Sequence, residues 1–418
     1  MPQVPTRAPA STGGAATRRS RRRRRARLLK LGGLAVLAAA ILWPASAMAA
    51  SSYTPFPLPS SGSWTTWWAQ IQKQLSQAGW TLPVGGGSTT TPPPTPPPTS
   101  PPSGGGGSTG GGGTTSPTSG TGATVTGSYT NSSGTRSYTA YVPSTYKAGT
   151  AMPLVVVLHG CTESSDVIAQ LTRFDQLAET KGFIAVFPQQ PSSANYESCW
   201  NFFQDADMHR GSGEPSLIAG ITQQVQQNYT VNAKQTYVAG LSAGGAMASV
   251  MGATYPDIYA AIGVGSGCEY DATAACAGYQ STDPTTAGKA AYTEMGSRAR
   301  VLPVIAFQGD ADTTVPPING TQLVQQWLTT DDLADDGAAN GSIGTTAAKT
   351  TQGQVPNGRS YTVSDYDDSH GGEVLQYWLV HGMNHAWSGG SSSESYADPQ
   401  GPDATSAMYQ FFMAHPMP

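Results

Sequence analysis

The stretch Gln-Thr-Tyr-Val-Ala-Gly-Leu-Ser-Ala-Gly-Gly-Ala-Met at residues 235–247 combines a strand, a tight turn and the start of a helix. Its apolar first part is typical of a buried strand, and the alanine-rich residues 243–254 are typical of a helix. Between them lies Gly240-Leu-Ser242-Ala-Gly244, in which small residues permit a strained turn and close packing. Because such a turn pushes the serine hydroxyl out of the sheet, we predict that Ser242 is a nucleophile.

Further strand-like segments lie on both sides of this stretch. Continuous apolar runs, typical of strands buried on both faces, occur at residues 153–158, 183–187, 260–264, 302–307 and 374–380. Helical stretches such as residues 216–229 lie between several of them. This alternation predicts the α/β class, with a mostly parallel sheet and helices on both faces. Residues 128–130 and 137–142 alternate in polarity instead, which predicts antiparallel strands.

The 418 residues divide into four segments by composition. Residues 1–49 have an arginine-rich start, a short apolar stretch and an Ala-Met-Ala cleavage site, and they predict a signal peptide. Residues 50–84 carry tryptophans at helical spacing and predict a short amphipathic helix. Residues 85–123 are almost entirely Gly, Thr, Ser and Pro and predict a disordered linker; its Gly-x-Ser-x-Gly match is an accident of composition. Residues 124–418 remain as one large domain.

Charge and composition exclude several classes of partner. Charged residues make up 11% of the chain, and the net charge is −4 although many arginines lie in the first 27 residues. A nucleic-acid partner is therefore not expected. We expect a monomeric, secreted protein, extracellular or periplasmic, with no stable membrane insertion after signal cleavage. An uncleaved anchor stays an alternative, and Sec and twin-arginine export both stay open. No Cys-x-x-Cys or His-x-x-x-His pattern suggests a metal, and no cofactor is expected.

The cysteines are even in number, which in an exported chain predicts disulfides. They are Cys161, Cys199, Cys268 and Cys276. Three pairings are possible. We favour Cys161–Cys199 and Cys268–Cys276, partly because the second pair closes a short loop.

A serine hydroxyl is a poor nucleophile without a base, so a histidine should follow Ser242 in the chain. His385 lies in a Gly-rich loop just after the strand at residues 374–380, where a base would lie over the serine. His381 is closer to the strand, which favours a structural role. His370 lies in a polar insertion, which favours a solvated position. We therefore predict His385 as the base.

The acid that orients this histidine should follow the preceding strand. The strand at residues 302–307 leads into Gln-Gly-Asp310-Ala-Asp312-Thr-Thr-Val-Pro, so both aspartates are candidates. The usual hydrolase pattern, Gly-x-x-Asp-x-x-Val-Pro, selects Asp312. Its role would be to accept the imidazole N–H and to fix the tautomer. Asp310 would hold the loop by turn hydrogen bonds.

Two backbone N–H groups are needed to stabilise a developing oxyanion. One donor should be the residue after the serine, Ala243. The second should come from the loop after an early strand, Leu158-His-Gly-Cys161-Thr, where we select the Cys161 amide with Gly160 as the alternative. A His159-Gly160 pair in this position more often shapes the loop than acts as a base.

These motifs together resemble the esterase family of extracellular poly(3-hydroxybutyrate) depolymerases, over about residues 125–415. The resemblance rests on the segments at residues 158–162, 199–202, 240–247, 309–319 and 385–390, whose order and number make the set specific. It implies an α/β-hydrolase fold for the catalytic domain, hydrolysis of carboxylic esters without a metal, and a triad of Ser242, Asp312 and His385. It also implies that Trp200, Asn201 and Trp387 line the substrate cleft. The alternative for these three is packing aromatics and a turn residue.

The function expected from this resemblance is that of a secreted serine esterase. It would hydrolyse a polymeric or oligomeric ester, poly(3-hydroxybutyrate) or a similar polyester, through an acyl-enzyme on Ser242. The alternative is a feruloyl or acetylxylan esterase acting on plant cell-wall esters, because the family grades into both. A third possibility is an inactive protein that only adheres to a polymer. It is disfavoured because Ser242, Asp312 and His385 are all present.

Overall fold

The computed structural model describes residues 122–272, Cys276 and residues 283–418. The predicted signal peptide and tryptophan-bearing segment, and the predicted linker up to residue 121, lie outside the described residues. The strands are β1 (Ala123–Asn131), β2 (Gly134–Val142), β3 (Met152–Leu158), β4 (Ile184–Pro188), β5 (Val231–Leu241), β6 (Ile262–Gly265), β7 (Val304–Gly309), β8 (Lys349–Gln354), β9 (Ser360–Asp367), β10 (Glu373–Val380), β11 (Trp387–Ser388) and β12 (Ala397–Asp398). The α-helices are α1 (Ser165–Thr172), α2 (Phe174–Lys181), α3 (Gly213–Asn228), α4 (Ala243–Thr254), α5 (Pro284–Met295), α6 (Ile318–Asp336) and α7 (Ala404–Ala414).

Ten of these strands form one mixed sheet in the order β1-β2-β4-β3-β5-β6-β7-β10-β9-β8. The middle strands from β4 to β10 run parallel, and the outer strands pair antiparallel. The prediction of a mostly parallel α/β sheet is confirmed, as is the antiparallel pair at the start of the domain. The strands β8 and β9 were not predicted. Their side chains are largely exposed or half-buried, so they carry no apolar periodicity that the sequence could reveal.

Both faces of the sheet are buried, and β3 shows how. Leu154 and Val156 belong to one apolar cluster, whereas Val155 and Val157 belong to the other. Successive residues of a strand point to opposite faces, so a continuous apolar run requires cover on both sides. Helices α3, α4, α5 and α6 contribute to the first cluster, and helices α1, α2 and α7 to the second. The predicted two-sided layering is therefore present.

The parallel strands fix where the site lies. Because parallel strands end at one edge of a sheet, the loops after β3, β5, β7 and β10 meet there. These four loops carry, in order, Cys161, Ser242, Asp312 and His385. Residues more than 200 positions apart in the sequence are thereby brought to one side of the domain.

The structure contains both disulfides of the favoured pairing. Cys161 is bonded to Cys199, and Cys268 is bonded to Cys276. The first joins the loop after β3 to the segment that precedes Trp200. The second lies beside α4, where Cys268 and Cys276 pack with Ala246.

Candidate active site

Ser242 stands at the turn between β5 and α4. Its φ of 57° and ψ of −121° are unusual for a residue with a side chain, and such strain persists only when the surroundings hold it. The Ser242 amide donates to the Gly265 carbonyl at 2.9 Å. A Cβ atom on Gly240 would overlap the Gly244 backbone, and one on Gly244 would overlap the backbone of Leu158. The small residues of the motif are thus required by close packing, as the sequence predicted.

Asp312 and His385 form a buried hydrogen-bonded pair. The Asp312 Oδ2 and the His385 Nδ1 are 2.8 Å apart, and their side chains are 0% and 9% exposed. The other oxygen of Asp312 accepts the amides of Thr314 and Val315, both at 2.9 Å. Gln308 Nε2 donates to Oδ2 at 3.3 Å. A carboxylate that only accepts fixes the imidazole proton on Nδ1, which leaves Nε2 as the acceptor of the neutral ring.

Asp310, the alternative acid, pairs instead with His381. The distance from Asp310 Oδ2 to His381 Nδ1 is 2.8 Å, but these side chains are 37% and 38% exposed. Asp310 Oδ1 accepts the Gly382 amide at 2.6 Å, and His381 Nε2 lies 3.0 Å from Thr362 Oγ1. Although its partial burial acts in the opposite direction, the hydrogen bonds from Gly382 and His381 hold the pKa of Asp310 below its ordinary value. Asp312, which the sequence favoured as the acid, thus lies in the buried pair with His385, and Asp310 lies in the exposed pair with His381.

The loop after β3 lies against the serine. A Cβ atom placed on Gly160 would lie 3.4 Å from the Cβ of Ser242. The Gly160 amide is already engaged, because it donates to Glu163 Oε2 at 2.7 Å. It is therefore a weaker candidate for an oxyanion donor than the Cys161 amide.

His159 orients the peptide group that carries the Cys161 amide. Its Nε2 accepts the Gln190 amide at 3.1 Å, so its Nδ1 carries the proton and donates to the Gly160 carbonyl at 2.7 Å. Burial lowers the pKa of His159 to about 4, which keeps the ring neutral. In a trans peptide the C=O and the N–H point in opposite directions. With the Gly160 carbonyl held by His159, the Cys161 N–H is directed away from it.

Two further contacts hold the loop after β3 in place. The Cys161–Cys199 disulfide joins it to the neighbouring loop, and the Thr162 amide donates to the Glu197 carbonyl at 2.5 Å. Ala243, the other predicted donor, is the first residue of α4. The first amides of a helix have no carbonyl partner within it, and the helix dipole favours negative charge there.

The predicted cleft residues lie in the interior. Trp200, Asn201 and Trp387 are 0%, 5% and 1% exposed. Trp387 Nε1 donates to Thr405 Oγ1 at 2.9 Å, and Asn201 Nδ2 donates to Glu214 Oε1 at 2.7 Å. None of the three offers a solvent-exposed face to a substrate. All three are arranged as packing side chains, which is the alternative that the sequence left open. They contribute to the site only through the packing of the interior.

Three exposed apolar side chains near the site were not found by sequence reasoning. The large hydrophobic residues exposed in the described part of the chain are Tyr196 (57%), Ile318 (41%) and Tyr396 (39%). Tyr396 packs edge-on against His385 with ring centroids 6.1 Å apart. Tyr196 precedes Glu197, which binds the loop after β3, and Ile318 follows the Asp312 loop at the start of α6. Exposure depends on tertiary packing, so no local pattern marks these residues.

Within residues 122–272, 276 and 283–418, no group of three or more His, Cys, Asp or Glu side chains is arranged to hold a metal ion. Within those same ranges, no helix has the length and apolar character needed to cross a membrane.

The doubly covered sheet, the strained serine turn and the buried Asp–His pair are features of an α/β-hydrolase fold. Residues 136–351, more than half of the chain, match the family described as Esterase PHB depolymerase. The chain belongs to this family.

Curated relatives of the chain carry two different names. It is 29% identical over 253 residues to "Poly(3-hydroxyalkanoate) depolymerase C" of Paucimonas lemoignei, covering 59% of this chain and 57% of that protein. It is 35% identical over 227 residues to "Acetylxylan esterase A" of Talaromyces purpureogenus, covering 50% of this chain and 57% of that protein. The match thus spans little more than half the length of each relative.

A solved structure shares the fold. An acetyl xylan esterase from Aspergillus awamori superposes with a TM-score of 0.54 at 22% identity, covering 67% of this chain and 94% of that chain. At this identity the likeness concerns the fold alone.

Proposed function

We propose that the chain is a serine esterase in which Ser242 is the nucleophile, His385 the general base and Asp312 the acid of the triad. The observation that carries this proposal is the buried pair of Asp312 and His385 at 2.8 Å, on loops that meet the strained Ser242 turn at one sheet edge. The paired carboxylate holds the imidazole in the tautomer that presents a bare Nε2.

The reaction proceeds in two half-reactions. His385 takes the Ser242 proton as Oγ attacks the ester carbonyl, and the amides of Ala243 and Cys161 bind the oxyanion. The tetrahedral intermediate collapses, and His385 returns the proton to the departing alcohol. Water then attacks the acyl-enzyme with His385 again acting as base, which releases the acid and restores Ser242.

For the substrate we propose a polyester, poly(3-hydroxybutyrate) or a similar polymer. The supporting observation concerns the exposed large hydrophobic residues of the described chain. Tyr396 packs against His385, Tyr196 precedes Glu197, whose carbonyl accepts the Thr162 amide, and Ile318 begins α6 after the Asp312 loop. Exposed apolar side chains gathered around a site favour contact with an apolar surface. The named depolymerase of Paucimonas lemoignei among the relatives agrees with this choice.

The second candidate is an esterase of plant cell-wall esters, either acetylxylan or feruloyl esters. The observation in its favour is the 35% identity to the acetylxylan esterase of Talaromyces purpureogenus, which exceeds the 29% identity to the depolymerase. Tyrosines at the site mouth would also stack on sugar rings, so the exposed residues do not exclude it.

The deciding experiment is an assay of purified protein on a poly(3-hydroxybutyrate) suspension, with acetylxylan and a feruloyl ester in parallel. Clearing of the suspension that disappears in Ser242→Ala is the result expected for a depolymerase. Ser242-dependent release of acetate or ferulate without clearing would move the substrate to the cell wall. Activity that persists in Ser242→Ala would overturn the proposed nucleophile.

The proposal extends to export and domain organisation. Two disulfides agree with a protein that matures outside the cytoplasm, as does the arginine-rich, apolar start of the chain. We assign residues 1–49 to a cleaved signal peptide, 50–84 to an accessory segment, 85–123 to a linker and 124–418 to the catalytic domain. Sequencing the N-terminus of the secreted protein tests the first of these boundaries.

A further inference from the structure

Glu163 is a buried acid in the loop that carries the proposed oxyanion donor. Its residue is 6% exposed, and its Oε2 accepts the Gly160 amide at 2.7 Å. Its Oε1 is also buried and has no hydrogen-bond partner in the described part of the chain. Buried polar atoms are nearly always paired, so an unpaired carboxylate oxygen beside an active site points to a functional use.

Two titratable side chains act on the Glu163 carboxyl, His385 and Glu394. Burial raises the pKa of Glu163 to about 6; the Gly160 amide and a charge on His385 oppose this rise, and the half-buried Glu394 adds to it.

Glu163 also affects the direction of the Cys161 amide. The Gly160 residue is held at its N–H by Glu163 and at its carbonyl by His159 Nδ1. The backbone on both sides of the Gly160 α-carbon is thus fixed by side chains, directly against Ser242. Loss of the Glu163 acceptor would free one of these two constraints.

We propose that Glu163 is a positioning residue of the ester hydrolysis. Its carboxylate accepts the Gly160 amide and so holds Gly160 in the position in which the Cys161 amide faces the oxyanion. This inference rests on the roles proposed above for Cys161 and Ser242. It does not depend on whether the natural substrate is a polyester or a cell-wall ester.

The discriminating variants are Glu163→Ala, which removes the acceptor of the Gly160 amide, and Glu163→Gln, which keeps an acceptor of the same shape. The kcat of Glu163→Ala for 4-nitrophenyl acetate should fall about tenfold with KM nearly unchanged, since the oxyanion exists only in the transition state. Glu163→Gln should stay within about threefold of the parent, because its amide oxygen accepts the Gly160 N–H.

Two further variants complete the test. Glu394→Ala is the matched control, because it removes a neighbouring acid that does not accept the Gly160 amide, and its kcat should match that of the parent. Glu163→Met keeps the side-chain volume without an oxygen acceptor and should lose kcat as Glu163→Ala does, which separates the lost hydrogen bond from the effect of a cavity.

The outcomes that overturn the inference are specific. They are a Glu163→Ala enzyme with parental kcat, equal losses of kcat in the Gln and Ala variants, or a change in KM in place of kcat. If Glu163→Ala does not fold, Glu163→Met replaces it in the same comparison with Glu163→Gln. An active Ser242→Ala enzyme would instead contradict the proposed nucleophile, so the two failures are distinguishable.

Discussion

Two aspartate–histidine pairs lie side by side on the same two loops of this protein, and they differ chiefly in burial. Asp312–His385 and Asp310–His381 have the same Oδ2 to Nδ1 distance of 2.8 Å. The first pair is 0% and 9% exposed, whereas the second is 37% and 38% exposed. An aspartate–histidine hydrogen bond therefore does not by itself identify a catalytic pair.

The environment of each pair explains why burial distinguishes the two. In the low-dielectric interior a charge interacts more strongly with a fixed partner, whereas water screens an exposed pair. Asp312 is also held by the amides of Thr314 and Val315 and by Gln308, so its position does not depend on the histidine. The exposed pair, Asp310–His381, instead lies where Asp310 also accepts the Gly382 amide, and it holds the loop after β7 against the loop after β10.

The largest difference between the pairs should appear on removal of the histidines. His385→Ala should lower kcat by about 10⁴-fold or more, because no other group takes the Ser242 proton. His381→Ala should change kcat by less than about threefold, since it only supports the loop. Both are measured on 4-nitrophenyl acetate with matched protein concentrations. Comparable losses in the two variants would mean that the assignment of the base is wrong.

The aspartates should differ by a somewhat smaller factor. Asp312→Asn should lower kcat by about 10³- to 10⁴-fold, because an amide can donate to Nδ1 and stabilise the unproductive tautomer. Asp310→Asn keeps the loop geometry and should cost no more than a few-fold. Steady-state kinetics at pH 8 measures both. A large loss in Asp310→Asn with an active Asp312→Asn would exchange their roles.

Replacement of Gln308, which donates to the buried Asp312, should have an intermediate effect on kcat. Gln308→Met removes the donor to Asp312 Oδ2 and the donor to the Val315 carbonyl, which lies at 3.0 Å. We expect kcat to fall about tenfold and the free energy of unfolding to fall by about 1–3 kcal/mol, since a buried acceptor loses its partner. The exposed Gln410→Met on α7 is the control and should match the parent in both kinetics and urea unfolding.

The smallest effect should be that of the exposed Asp310–His381 pair on the pH dependence of stability. Because the folded-state pKa of Asp310 is depressed, its contribution is present above the unfolded pKa of about 4 and is lost as pH falls through the folded value. As the pair is more than one-third exposed, screening limits this contribution to about 0.2–1 kcal/mol. Urea unfolding of the parent and Asp310→Asn should differ at pH 7, and this difference should shrink as pH falls below about 4. A difference that stays constant as the pH is lowered further would contradict the sign.

Much of the fold was accessible from the sequence because its signals are local. The apolar runs of β3, β4, β6, β7 and β10 and the Gly-x-Ser-x-Gly turn each lie within a few consecutive residues. The pair β8 and β9 was missed because half-exposed strands at a sheet edge lack an apolar period. The family resemblance implied that Trp200 and Trp387 line the cleft, but an aromatic side chain suits interior packing and substrate contact equally.

By itself the sequence predicted the α/β class, the serine turn and a triad of Ser242, Asp312 and His385. Only the tertiary structure showed that Asp310 pairs with an exposed histidine, that Trp200 and Trp387 are buried, and that the Gly160 amide donates to Glu163. The physical reason is that strand and turn preferences act between neighbours in the chain. Hydrogen-bond partners and burial depend on loops about 70 or more residues apart, which meet only when parallel strands end at a common edge.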